Sequence, residues 1–217
     1  MEFKVFDFET ASLPREYLES IVPPFKRDEV AIGNRTDPEK IEKYIDSLEE
    51  KARERFFDKA ALYPESGRIV ACGYKDQHAK VTLDYAMEEE EEESLIERFW
   101  AIDPATNLIG FNIFSFDLPF VLRRSWYLGI PVPKFGIRRG RYWADRYIDI
   151  LDEWRRGAYK TSIGLDRLGL IMGLGQKTED SGKHFFELMT KDFSRAEKYL
   201  QRDVELTFDV AAGLEII

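Results

Sequence analysis

Residues 2–9 alternate as an extended segment does. Phe3, Val5, Asp7 and Glu9 fall on one face, and Lys4, Phe6 and Phe8 on the other, the period of two that predicts a strand. Residues 68–74 and 79–85 predict two further strands with Lys75–His78 as their turn, and residues 91–102 a helix through Leu95, Ile96 and Phe99. Thr106–Asn112 reads as a buried strand, and 115–128 as a helix with Pro119 in its first turn, where proline is tolerated. Tyr147–Leu151 predicts a fifth strand, and helices follow at about 162–172 and 194–214. Strands first, then strands alternating with helices, predict an α/β fold with a mixed five-stranded sheet flanked by helices.

The segment 11–67 is too long for a hairpin between the first two strands. Asp37 is placed to cap a helix with Pro38 at its first position, and Ile41, Ile45, Leu48, Ala52 and Phe56 form an amphipathic stripe. We read 1–217 as one domain, with 11–67 a helical insertion packed on the same core.

Composition narrows the class. A chain of 217 residues with 44% apolar and 34% charged residues can bury a full core. No apolar stretch is long enough to span a bilayer, so no membrane partner is expected. Met1–Lys4 lacks a signal-peptide pattern. The single cysteine, Cys72, lies in an apolar run and reads as a buried thiol, which suits a cytoplasmic protein. The net charge of −9 argues against a protein that coats nucleic acid. Residues 123–160 depart from it, with ten Lys or Arg, among them Arg138, Arg139 and Arg141, against four acids and with aromatics interleaved. That mixture suits a single-stranded nucleic acid, or else is a solvated surface over core rings. The run Glu88–Glu93 reads as the solvated first turn of the next helix.

Four acids and one tyrosine carry the candidate chemistry. Asp7 and Glu9, two apart on a strand, point to the same side about 7 Å apart at Cα, where they repel unless a cation lies between them. Asp203 falls within the packing stripe Ala196, Tyr199, Leu200, Thr207, Val210, Ala211 and Leu214, where a carboxylate costs several kcal/mol unless paired or metal-bound. Tyr199, four residues earlier, can hang its hydroxyl over the same point. Asp117 opens a helix after Gly110-Phe-Asn-Ile-Phe-Ser-Phe116. Each has a plain alternative on its own: a charge pair at a strand end, a buried tyrosine bonded to a helix acid, an acid complementing a helix dipole.

Taken together, Asp7-Phe8-Glu9, Asn112 through Phe116-Asp117, and Tyr199-Leu-Gln-Arg-Asp203 resemble the three motifs of the DEDD superfamily of 3′→5′ exonucleases, on the ribonuclease H-like fold. A tyrosine four residues before the last aspartate is similar to the DEDDy branch, as in proofreading domains of family B DNA polymerases. Neither His78 nor His184 lies in the third motif, against the histidine branch. Tyr147–Leu151 and Ser162–Leu168 also look like a subgroup of stand-alone relatives of those domains.

The resemblance implies a mechanism. Asp7, Glu9 and Asp203 would hold one ion, which activates the attacking water. Asp7 and Asp117 would hold a second, which stabilises the leaving 3′-oxygen. All-carboxylate ligation favours two Mg²⁺ or Mn²⁺ over zinc. Tyr199 would orient the water. Thr10, Asn112 and Phe116 are the candidates beside the terminal nucleotide, and Arg138, Arg139 and Arg141 along the phosphates. Gly173–Lys177 is followed by Thr178 but lacks the spacing of an NTP loop, because Gln176 stands between Gly175 and Lys177. The expected activity releases nucleoside monophosphates from the 3′ end of single-stranded nucleic acid, DNA favoured over RNA. With no polymerase module in the chain, any proofreading or repair would be served in trans to a polymerase or repair complex. The other readings are an exoribonuclease and a nucleic-acid-binding module that kept the fold without catalysis.

Overall fold

The computed structural model describes residues 2–78, 80–133, 146–158, 162–176, 182 and 185–217. Five strands form one sheet: β1 (Phe3–Ser12), β2 (Gly67–Asp76), β3 (Val81–Tyr85), β4 (Asn107–Gly110) and β5 (Tyr147–Asp149), in the order β3-β2-β1-β4-β5. β1 pairs antiparallel with β2 and parallel with β4; β2–β3 is antiparallel and β4–β5 parallel. This is the expected mixed sheet. Alternation along β1 splits the core in two. Val5 faces the layer of α6 (Leu165–Ile171), α7 (Phe185–Lys191) and α8 (Phe193–Gly213). Phe6 and Phe8 face α3 (Glu91–Trp100) and α4 (Asp117–Leu128).

The apolar spacing of α8 buries Leu200, Val204, Leu206, Val210 and Ala211 in the core that it shares with the sheet and α6, each large side chain worth about 1.5–3 kcal/mol relative to exposure. Gly73 of β2 sets how low this helix sits. A β-carbon there would meet Val204 Cγ2 at 2.5 Å, and Gly73 is the register partner of Asp7. The missing side chain thus lets α8 carry Asp203 down onto the strand that carries Asp7.

Between β1 and β2 run α1 (Arg15–Ile21), a 3-10 turn at Arg27–Glu29, α2 (Pro38–Lys59) and a 3-10 turn at Ala60–Leu62. Asp37 caps α2, accepting from Glu39 N and Lys40 N, with Pro38 at the first helical position. In the stripe of α2, Ile41, Ile45, Leu48 and Phe56 are only half-buried and Ala52 is exposed, and no residue of the helix is fully buried. Arg27 ties its own turn to α2 through Glu42, Asp46 and Glu49, and Arg53 of α2 pairs with Glu19 of α1. The segment meets the sheet through Thr10 Oγ1, which donates to Ala61 O at 2.7 Å, and through the Ala60–Leu62 turn.

Two expectations change. Glu92 is not part of a solvated run: it is buried and accepts from Arg124 Nε and Nη2 at 2.9 and 2.6 Å and from Ile69 N at 2.8 Å. The cause is helical phase, since 92, 95, 96 and 99 share one face of α3. Arg124 therefore leaves the candidate nucleic-acid surface for the interior. The short helices α1, α5 (Ile150–Arg155) and α7 have no counterpart in the expected pattern, and α5 takes Ile150 and Leu151 from the strand expected over Tyr147–Leu151. Six or seven residues give too few turns for periodicity to register before Leu18, Ile150, Leu151, Phe185 and Met189 find their packing partners.

Candidate active site

β1 delivers Asp7 and Glu9 to one side of the sheet, and a bulge between Glu9 and Thr10 shifts the register with β2, whose pairing continues through Ser12. α8 delivers Asp203 from above. One carboxylate oxygen from each of Asp7, Glu9 and Asp203 lies within 4.8 Å of the others. Glu9 and Asp203 are buried, and Asp7 is half-buried. The donors are all carboxylate oxygens brought together, the set that fits a hard divalent cation rather than a soft one. Without positive charge, three such groups at this spacing repel.

Asp117 arrives from the other direction, as the first residue of α4. It is 3% exposed, and its Oδ1 accepts from Phe8 N at 3.3 Å, fixing it beside the strand between Asp7 and Glu9. Burial first, and then the Asp7 charge, push its carboxyl well above the usual carboxylate range. Tyr199, one helical turn before Asp203, hydrogen-bonds the Asp203 carboxylate. Burial and the charges of Glu9, Asp203 and Asp7 hold this phenol protonated. It can therefore donate a hydrogen bond in the cluster but cannot act as a base near neutral pH. Gly182 approaches the same point. A β-carbon on it would lie 3.2 Å from Glu9 Oε2 and 3.3 Å from the Tyr199 hydroxyl.

These groups line an open cleft of about 420 Å³, with Asn112, Phe116 and Arg155 on its walls, a size within the range of small-ligand sites. The structure thus brings together Asp7, Glu9, Asp117, Tyr199, Asp203, Asn112 and Phe116. Thr10 does not line the cleft; beyond the bulge its hydroxyl is spent on Ala61 O. Arg138, Arg139 and Arg141 lie outside the described residues. Sequence reasoning counted Arg155 only among the ten cations of 123–160, whereas α5 (Ile150–Arg155) turns it into the cleft, and it missed the role of Asp149. Asp149 accepts backbone N–H groups from Asn112, Phe114 and Leu151. The sequence offered only an acid within the predicted fifth strand; its place beside the second motif comes from the β4–β5 pairing.

Residues 65–214 match the family described as a predicted 3′-5′ exonuclease related to the exonuclease domain of PolB. The chain belongs to this family. The match covers over two thirds of the chain and includes Asn112, Phe116, Asp117, Tyr199 and Asp203. Asp7 and Glu9 precede it and join the site through the sheet. Among solved structures, the chain is similar to the family B DNA polymerase from the hyperthermophilic archaeon Pyrobaculum calidifontis, with a TM-score of 0.62 and 16% identity. The similarity covers 99% of this chain and 24% of the polymerase chain. At that identity the likeness establishes the fold, the one the motifs implied. No curated protein matches the chain in sequence. Among the described residues, no helix is long and apolar enough to cross a membrane.

Proposed function

We propose that this PolB-related exonuclease domain is a metal-dependent 3′→5′ exonuclease of the tyrosine branch. It removes nucleoside monophosphates from single-stranded nucleic acid, DNA in preference to RNA. The observation that carries the proposal is the convergence of Asp7, Glu9 and Asp203 within 4.8 Å, with Asp117 against Phe8 N and Tyr199 bonded to Asp203. Asp7, Glu9 and Asp203 would hold one ion, and Asp7 with Asp117 a second, either Mg²⁺ or Mn²⁺. Such a pair supplies an acidified water and charge stabilisation of the leaving 3′-oxygen.

The chain's own residues do the rest. Tyr199, kept protonated and hydrogen-bonded to Asp203, would offer its phenol oxygen as an acceptor to a nucleophilic water and so help to align it. Phe116 gives an apolar ring, and Asn112 an amide, to the nucleotide at the 3′ end. Arg155 is a cation on the cleft wall, suited to a backbone phosphate. The buried acids of the cleft repel phosphate, so binding of the strand should depend on cations there and along Arg138, Arg139 and Arg141. We read the whole of 1–217 as one domain that acts in the cytoplasm and serves a polymerase or repair complex.

Oligonucleotides of DNA and RNA labelled at the 5′ end, incubated with and without Mg²⁺ or Mn²⁺, test this reading. The expected product is a ladder shortened from the 3′ end that chelation abolishes. Cleavage in excess EDTA, or cutting of a circular single strand, would overturn it.

A further inference from the structure

The second motif bends sharply between β4 and α4, and the bend is clamped from outside. Asn112 has φ of 62°, left-handed backbone that costs a residue with a side chain about 1 kcal/mol or more. Within the bend, Asn112 O accepts from Ser115 N and Phe116 N, and Ile113 O from Leu118 N. Gly110, whose β-carbon would meet Ile113 Cγ2 at 2.4 Å, leaves Ile113 room to fold back. Two further N–H groups of the bend go to one carboxylate, together with one from α5. Asp149 Oδ1 accepts from Asn112 N at 2.8 Å and from Leu151 N at 2.9 Å, and Oδ2 accepts from Phe114 N at 2.9 Å. Asp149 is 3% exposed, ends β5 and is the register partner of Gly110. It does not line the cleft, whereas Asn112, Phe116 and Asp117 do.

We propose that Asp149 is a positioning residue that holds the Asn112–Phe116 bend, and through it Asp117, in register with the cleft. It divides the site into two separately supported halves. Asp7, Glu9 and Asp203 stand on β1 and α8 and do not need Asp149. Asn112, Phe116 and Asp117 hang from a strained bend that it ties down. A buried carboxylate with three N–H donors is a stiff anchor, because no water competes for those bonds. Replacing Asp149 with Asn keeps size and one acceptor oxygen but sets an NH2 against the Phe114 N–H. Replacing it with Ala removes all three bonds.

Three readouts on the full chain test this; the kinetic one rests on the exonuclease reading, the Mn²⁺ one on its metal site, and the exchange one on neither. Amide hydrogen exchange over 111–118 should quicken by about tenfold in Asp149→Asn and more in Asp149→Ala, with β1 unchanged. The tighter Mn²⁺ site, titrated without nucleic acid, should keep its affinity within about twofold, since its ligands are untouched. The kcat/KM for a single-stranded oligonucleotide should fall by about tenfold or more, in the same order of variants, well below the melting temperature. Unchanged exchange at 112–114 would overturn the proposal. So would loss of the tighter Mn²⁺ site in parallel with activity, or Asp149→Asn failing to fold, because the claim is of a local anchor. If the wild-type chain cleaves nothing, the exonuclease reading fails, and the exchange result still decides the role of Asp149.

Discussion

Two groups of buried acid flank the same sheet, and they are treated in opposite ways. On the α3–α4 side, Glu92 is 1% exposed and fully answered: both oxygens meet the Arg124 guanidinium, and one also takes Ile69 N. Arg124 in turn reaches Pro64 O, so one ion pair joins α3, α4, β2 and the end of the insertion. On the α8 side, Asp7, Glu9 and Asp203 converge on each other, with Asp117 nearby. The first group is organised as structure does it, each charge neutralised by protein. The second brings like charges to one point, the arrangement that could hold a divalent cation.

The sharpest way to separate the two is to remove one acid from each. Asp7→Ala or Asp203→Ala should abolish nearly all turnover, by about a thousandfold or more. In metal-free buffer those variants should melt no lower than wild type, because a like-charge repulsion is relieved. Glu92→Ala should do the reverse. It strands Arg124 in the interior and should cost about 3–5 kcal/mol of unfolding free energy, while the folded fraction keeps its rate per molecule. Denaturant melts beside single-turnover assays read both quantities. A Glu92 variant that is stable but inactive would erase the distinction.

Tyr199→Phe probes the catalytic side more finely. The ring stays against Phe185, so stability should fall by roughly 1 kcal/mol for one hydrogen bond. Oligonucleotide affinity should hold. The cleavage step should slow by about tenfold to a thousandfold, the range for a lost orienting group. Equal single-turnover rates would make Tyr199 a packing residue.

A smaller effect is expected from the basic stretch. Replacing Arg138, Arg139 and Arg141 with Ala should weaken binding and flatten the slope of log K against log salt by about 0.7 for each phosphate no longer neutralised. An unchanged slope would place the strand elsewhere, with Arg155 the next cation to test.

The sheet, its two faces and the three motifs were legible in the sequence for a simple reason. A period of two with Asp7 and Glu9 in phase, and Asp203 within an apolar stripe with Tyr199 a turn away, each specify direction as well as residue type. What was not legible depends on pairings between segments distant in sequence. Glu92 looked solvated because its neighbours are glutamates, and only its partner Arg124, 32 residues on, reveals the buried face. Thr10 follows the motif directly, yet a bulge turns its hydroxyl to Ala61. Asp149 meets the second motif only through the β4–β5 pairing. The depth at which α8 lies on Gly73 is likewise a packing fact without a local signature.

The central claim is that the Asp7–Glu9–Asp203 cluster is kept for divalent cation. Thermal melting of wild type and Asp203→Asn across a Mg²⁺ or Mn²⁺ titration tests it most directly. Wild type should gain stability with ion concentration, by about 2.7 kcal/mol at a hundredfold excess over Kd. Asp203→Asn should start at equal or higher stability without metal and gain little. A wild-type melt indifferent to either ion, or an equal gain in both proteins, would contradict the account.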